Sequence, residues 1–146
     1  MRELDSAPAS LLAWRLALRH PDGSGMPIIA SVLVAIVAAL HVWFLVLEML
    51  LWQKPLGLRT FGMTAEQAES TAVLAANQGL YNGFLAAGLM VGLVVVEPSA
   101  FYFRLFFLAC VIIAGVFGAA SVSRRILFVQ ALPAAIALAA VLVAGV

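Results

Sequence analysis

Charged residues punctuate the chain so sparsely that four long uncharged, mainly apolar stretches stand out, at 23–47, 70–96, 105–123 and 126–146. A bilayer hydrocarbon core roughly 30 Å thick is crossed by about 20 helical residues, and each stretch can supply them. Inside lipid the backbone must satisfy its own polar groups, which leaves only helices and closed barrels. Four stretches are too few for a barrel. The pattern therefore predicts an all-α, membrane-embedded four-helix bundle, with helices over 27–52, 71–96, 101–122 and 125–146 and a loop over 53–70. Pro27 suits a first helical turn, where its missing N–H has no partner to lose. Glu97-Pro98 stops the second helix. Pro133 removes a backbone bond to residue 129 and predicts a kink just below Gln130.

Ahead of these spans, Leu11, Trp14 and Leu18 recur at helical spacing while Arg15 and Arg19 sit four apart. Residues 10–19 are too few to span and predict an amphipathic helix lying on the membrane. His20-Pro-Asp-Gly-Ser-Gly25 reads as its linker, so 1–25 is an interfacial segment and 26–146 the bundle. Charge, polar turns and the lack of a small-residue cleavage site argue against a signal peptide.

Composition confirms the solvent: the chain is 65% hydrophobic and 10% charged, whereas soluble domains run at about 45–50% and about 25%. An integral, multi-pass protein, placed in the cell membrane, is expected, with membrane lipids as its first partners. A net charge of +1 offers no footprint for nucleic acid. One cysteine, Cys110, and the distant pair His20 and His41 make neither a disulfide nor a metal cage, so no metal and no cofactor are expected. Arg2, Arg15, Arg19 and Arg104 balance Lys54, Arg59, Arg124 and Arg125 across the two sides. With Arg104 snorkelling into an aromatic belt of Phe101, Tyr102 and Phe103, the second side is slightly the more basic, which places both termini outside.

Polar side chains inside the spans carry the functional signal, because burying them in lipid costs free energy. His41 and Glu48 are seven residues apart, which leaves them roughly 20° apart on one helix face and about 10 Å apart along the axis. Trp52 continues that face. Asn77, Gln78, Tyr81 and Asn82 fall within an arc of about 140° on the second helix. Hairpin arithmetic puts Glu48 level with Asn77 and Gln78, and His41 level with Asn82. Gln130 enters the Glu48 layer from the fourth helix. One cavity, open towards 53–70, is thus expected, lined by Glu48, Asn77, Gln78 and Gln130, with His41, Tyr81 and Asn82 as its floor. Glu48 is expected to be neutral or paired, with His41, Arg124 and Arg125 the candidate partners. Trp43 or Trp52 supplies a flat wall. Gly79, Gly83 and Ala87 form a small-residue row, repeated nearby by Gly88 and Gly92, which reads first as a packing groove and second as a ligand approach, with a homo-oligomer contact through Gly79, Gly83 and Ala87 as the partner it offers.

The segments His41-Val-Trp-Phe-Leu-Val-Leu-Glu48-Met-Leu-Leu-Trp52 and Asn77-Gln-Gly-Leu-Tyr81-Asn82-Gly-Phe-Leu-Ala-Ala-Gly88 resemble the two signature segments of a family of small four-helix membrane proteins. It is the domain-of-unknown-function family numbered thirteen hundred and four. Phe61-Gly62, Gly115-Val-Phe-Gly118 and Gln130-Ala-Leu-Pro133 also resemble its pattern, over about residues 27 to 143. The resemblance implies a bundle fold and lends no reaction or substrate.

The side chains point first to an intramembrane pocket for a small, largely apolar or lipid-like molecule. Glu48 and His41 are the candidate acid–base pair, while Trp52, Asn77, Gln78, Tyr81, Asn82 and Gln130 orient the ligand. An oligomeric proton-coupled transporter built around Glu48 is the second reading, although no inverted repeat relates the two halves. An accessory subunit of a membrane complex is the third.

Overall fold

The structure, a computed structural model, describes residues 25–146. The surface helix expected at 10–19 lies outside the described residues. Among the described residues the fold is all-α and no strand occurs. The helices are α1 (Gly25–Met49), α2 (Pro55–Phe61), α3 (Ala65–Val94), α4 (Ser99–Ser121) and α5 (Leu132–Ala144), the last preceded by a π-helical turn over Leu127–Ala131.

The expected 53–70 loop is largely helical. After α1, the amides of Leu50 and Leu51 both donate to the Val46 carbonyl at 3.0 and 3.1 Å, which turns the chain before Trp52 is reached. Proline in its first turn starts α2, and Gly62 ends it in the left-handed region at φ 66°, which a residue without Cβ adopts freely. Thr64 and Gln67 then form a capping box, each side chain accepting from the other's backbone amide, so α3 begins at Ala65 rather than at 71. The expectation had followed charge. Glu66 and Glu69 mark where lipid-compatible sequence ends, while caps decide where the helix ends.

Pro133 also acts differently from a simple kink. The Leu132 amide bonds to the Leu127 carbonyl, five residues back, and this wider turn sits immediately ahead of the proline that cannot donate. Arg104, expected to snorkel, is instead buried at 5% exposure and ion-paired with Glu97, with its Nε donating to the Ala100 carbonyl at 3.2 Å. Glu97, seven residues back, supplies the opposite charge that a buried guanidinium requires.

Helix α1 packs on α3 and α5, and α4 packs on α3 and on the final helix with its π turn. Between them lies a core of Val34, Val37, Leu89, Leu108, Val111 and Val141, interleaved with alanines. The small-residue row is used within the chain: Gly79 and Gly83 lie against α1 at Leu45 and Glu48, and Gly88 and Gly92 lie against Phe107 and Arg104 of α4. Close backbone approach is what such rows permit in lipid, where helix pairs gain mainly from packing. Ala87, by contrast, is exposed.

The outer surface is apolar along α1, α4 and α5, with Ile28, Val32, Phe106, Ile113, Phe117 and Ile136 all more than 45% exposed. Such a surface fits lipid rather than water. Gly25–Met49, Ser99–Ser121 and Leu127–Ala144 are each long and apolar enough to cross a membrane. Helix α3 is longer, at 30 residues, but Asn77, Gln78, Tyr81 and Asn82 interrupt its apolar character.

Candidate functional site

Glu48 occupies the last turn of α1, and the absence of side chains at Gly79 and Gly83 brings α3 close beneath it. At that approach the Asn82 amide Nδ2 donates to Glu48 Oε2 at 2.7 Å. Asn82 thus belongs to the Glu48 level and not to the His41 level. The difference is about one helical turn. It arises because α3 starts six residues earlier than 71 and runs past the end of α1, which removes the symmetry assumed in matching depths across a hairpin. The cationic partners expected for Glu48 are not engaged either. Arg124 and Arg125 are exposed, and Arg104–Glu97 is the ion pair found among the described residues.

Two cavities meet at this end of the molecule. The larger, about 610 Å³, is walled by Glu48, Trp52, Phe61, Met63, Gln78 and Val122 among others. The smaller, about 270 Å³, lies between Glu48, Trp52, Leu50, Lys54 and Ala72. Glu48 and Trp52 line both and therefore form the partition. Trp52 is fixed from two sides: its indole N–H donates to Thr71 Oγ1 at 3.2 Å, and its ring lies tilted by 49° on Phe61 with centroids 4.7 Å apart. The Thr71 hydroxyl in turn donates to the Gln67 carbonyl at 2.7 Å. Phe61 reaches Trp52 because α2 folds back onto the chain at Gly57, where a Cβ would lie 2.6 Å from the Trp52 carbonyl oxygen.

Gly57→Ala is accordingly expected to lift α2 away and loosen the Trp52–Phe61 contact. Overpacking of this kind costs roughly 1–3 kcal/mol. A lowered melting temperature together with a red shift of tryptophan emission would register it. An unchanged emission spectrum would show that α2 does not seat the ring.

His41 stands apart. It is fully buried, its Nδ1 bonds to the Val37 carbonyl at 2.8 Å, and its ring meets Phe44 edge-on at 5.6 Å. It lines neither cavity, and no hydrogen bond joins it to Glu48 among the described residues. Its Nε2 is buried without a partner among those residues. Asn77 and Tyr81 are exposed, Tyr81 to 58%, and neither lines a cavity. Gln130 sits half-buried in the π turn, also outside both cavities. Trp43 faces outward, so Trp52 is the flat wall. The structure brings together Glu48, Trp52, Gln78 and Asn82, and leaves His41, Asn77, Tyr81 and Gln130 apart from them. It adds Phe61, Met63 and Gln67, from the stretch expected to be a loop, and Thr71, expected at the start of the second helix. Pro55, Gly62 and the Thr64/Gln67 spacing were the signals for that helical turn-back.

Residues 35–142 match a family described as "Protein of unknown function (DUF1304)". The chain belongs to this family. The matched region of this DUF1304 protein contains Glu48, Trp52, Gln78, Asn82 and all the walls of both cavities. No curated protein and no solved structure matches the chain.

Proposed function

We propose that this DUF1304 protein is a four-span helical bundle of the cell membrane that holds a small, largely apolar molecule at the end of the bundle, with Glu48 as its polar anchor. The observation that carries the proposal is the partition: Glu48 and Trp52 line both the 610 Å³ and the 270 Å³ cavities. A concave, mostly apolar site with a few fixed polar groups is the usual form of a small-molecule pocket. Gln78 orients the ligand, and Asn82 holds the carboxylate in place. His41 has no part in the site, so the function is binding at Glu48 rather than chemistry by a Glu48–His41 pair.

The topology has its own test. With Cys110→Ala as background, cysteines at Thr60 and Ser99 are expected to react with an impermeant thiol reagent from opposite sides of sealed vesicles. Labelling of both from one side would overturn the four-span arrangement. For the site, native mass spectrometry of the purified chain should show a retained small molecule that is lost from Trp52→Ala and Glu48→Gln. Equal retention by both variants would sink the assignment of the pocket.

A further inference from the structure

From the walls of the larger cavity we infer the charge of its ligand: an organic cation carrying apolar groups, seated with its positive centre between the Glu48 carboxylate and the Trp52 and Phe61 rings. This deepens the pocket assignment and rests on it. Glu48 is the one charged side chain among the residues that wall the larger cavity. Asn82 occupies Oε2, while Oε1 has no hydrogen-bond partner among the described residues. That oxygen is not sealed in the packing and is open to a positive or hydrogen-bonding group entering the cavity.

The aromatic pair supplies the rest of the recognition. Ring faces attract a cation through their quadrupoles, tryptophan best of all, and the attraction grows as water is excluded. Trp52 cannot turn away easily, because its N–H is bound to Thr71 and its ring rests on Phe61. Met63, Leu74, Ala75 and Val122 add apolar walls that suit alkyl or aryl substituents, beside the uncharged polar side chains of Gln67, Thr71 and Gln78. An anion would meet the Glu48 charge with no cation lining the same cavity to offset it. Lys54 lies across the partition in the smaller cavity, is exposed, and forms no ion pair with Glu48 among the described residues. Its charge opposes cation binding from a short distance.

The chemistry is shared by a free tertiary or quaternary amine and by the quaternary ammonium of a lipid headgroup, and one experiment separates them. The full chain in neutral maltoside micelles is titrated by calorimetry with tetraphenylphosphonium, with tetraphenylborate of matching shape and opposite charge, and with uncharged triphenylmethane. Tetraphenylphosphonium should bind at one saturable site per chain. Its affinity should fall about tenfold in Glu48→Gln, equivalent to about 1.4 kcal/mol, and should rise in Lys54→Gln. Displacement by dodecylphosphocholine would assign the site to a lipid headgroup, and its absence to a free amine; either supports the cation site. Equal affinity for phosphonium and borate, or no change in either variant, overturns the inference. Saturable binding of triphenylmethane alone would overturn it and leave the pocket standing. No saturable binding of any of the three would overturn both. The Lys54→Gln arm keeps the result decisive even where Glu48→Gln unfolds, because Lys54 is an exposed side chain outside the packed core.

Discussion

Gly79→Val is expected to destabilise the protein and to abolish ligand retention together. Gly79 is buried in α3, and a Cβ there would lie 3.2 Å from both the Glu48 Cβ and the Leu45 carbonyl oxygen. The Met49 side chain, 2.5 Å away, can turn aside, whereas the Leu45 carbonyl is backbone and yields only if α1 shifts by a few tenths of an ångström. Valine adds two further methyl groups at the same spot. Overpacking usually costs about 1–3 kcal/mol, and a displaced helix takes the larger end of that range. The same displacement separates Glu48 Oε2 from Asn82 Nδ2, now 2.7 Å apart, and widens the wall between the cavities. Ala87→Val on the exposed side of α3 is the control and should change neither property. Survival of the monodisperse protein after heating, followed by size exclusion, measures the first effect and native mass spectrometry the second. Wild-type behaviour of Gly79→Val would show that α1 and α3 are not held at the distance described.

His41→Leu carries the opposite sign. The imidazole is fully buried, and its Nε2 has no hydrogen-bond partner among the described residues. An unsatisfied buried polar atom costs about 1–3 kcal/mol. The one bond His41 makes with its ring is to the Val37 carbonyl, a group already inside α1 and able to accept the backbone amide four residues on. Leucine fills similar space and strands nothing. The variant is therefore expected to be as stable as wild type or more so, by up to about 3 kcal/mol, with ligand retention unchanged. A destabilised His41→Leu, or one that loses its ligand, would show that Nε2 has a partner that the packing of α1, α3 and α5 conceals.

The polar residues of the spans were legible because each interrupts an apolar run, and lipid makes such an interruption costly wherever it falls. Glu48 was legible in this way and Trp52 as the continuation of its helix face, and both line the candidate site. Helical periodicity alone was less informative for α3. Asn77, Gln78, Tyr81 and Asn82 share a broad arc, yet only Asn82 bonds to Glu48, exposed Gln78 lines the larger cavity beside it, and Asn77 and Tyr81 face outward. A polar arc has no direction until a neighbouring helix is placed against it. The short helix α2 was missed because charge was used as its boundary signal, although Pro55 and Gly62 punctuated it clearly.

What the sequence determined by itself is the all-α class, the apolar exterior, the close-packing row of glycines and the membership in the DUF1304 family. These depend on composition and on local spacing, which the chain carries before it folds. Tertiary structure decided the register of α3 against α1, the pairing of Asn82 with Glu48 and the turn-back that sets Phe61 on Trp52. Register depends on where caps begin a helix and on which glycines admit a neighbour's side chains, and a shift of one turn moves a side chain by about 5.4 Å along the axis. That distance separates a hydrogen bond from no contact, so the identity of the partners had to wait for packing.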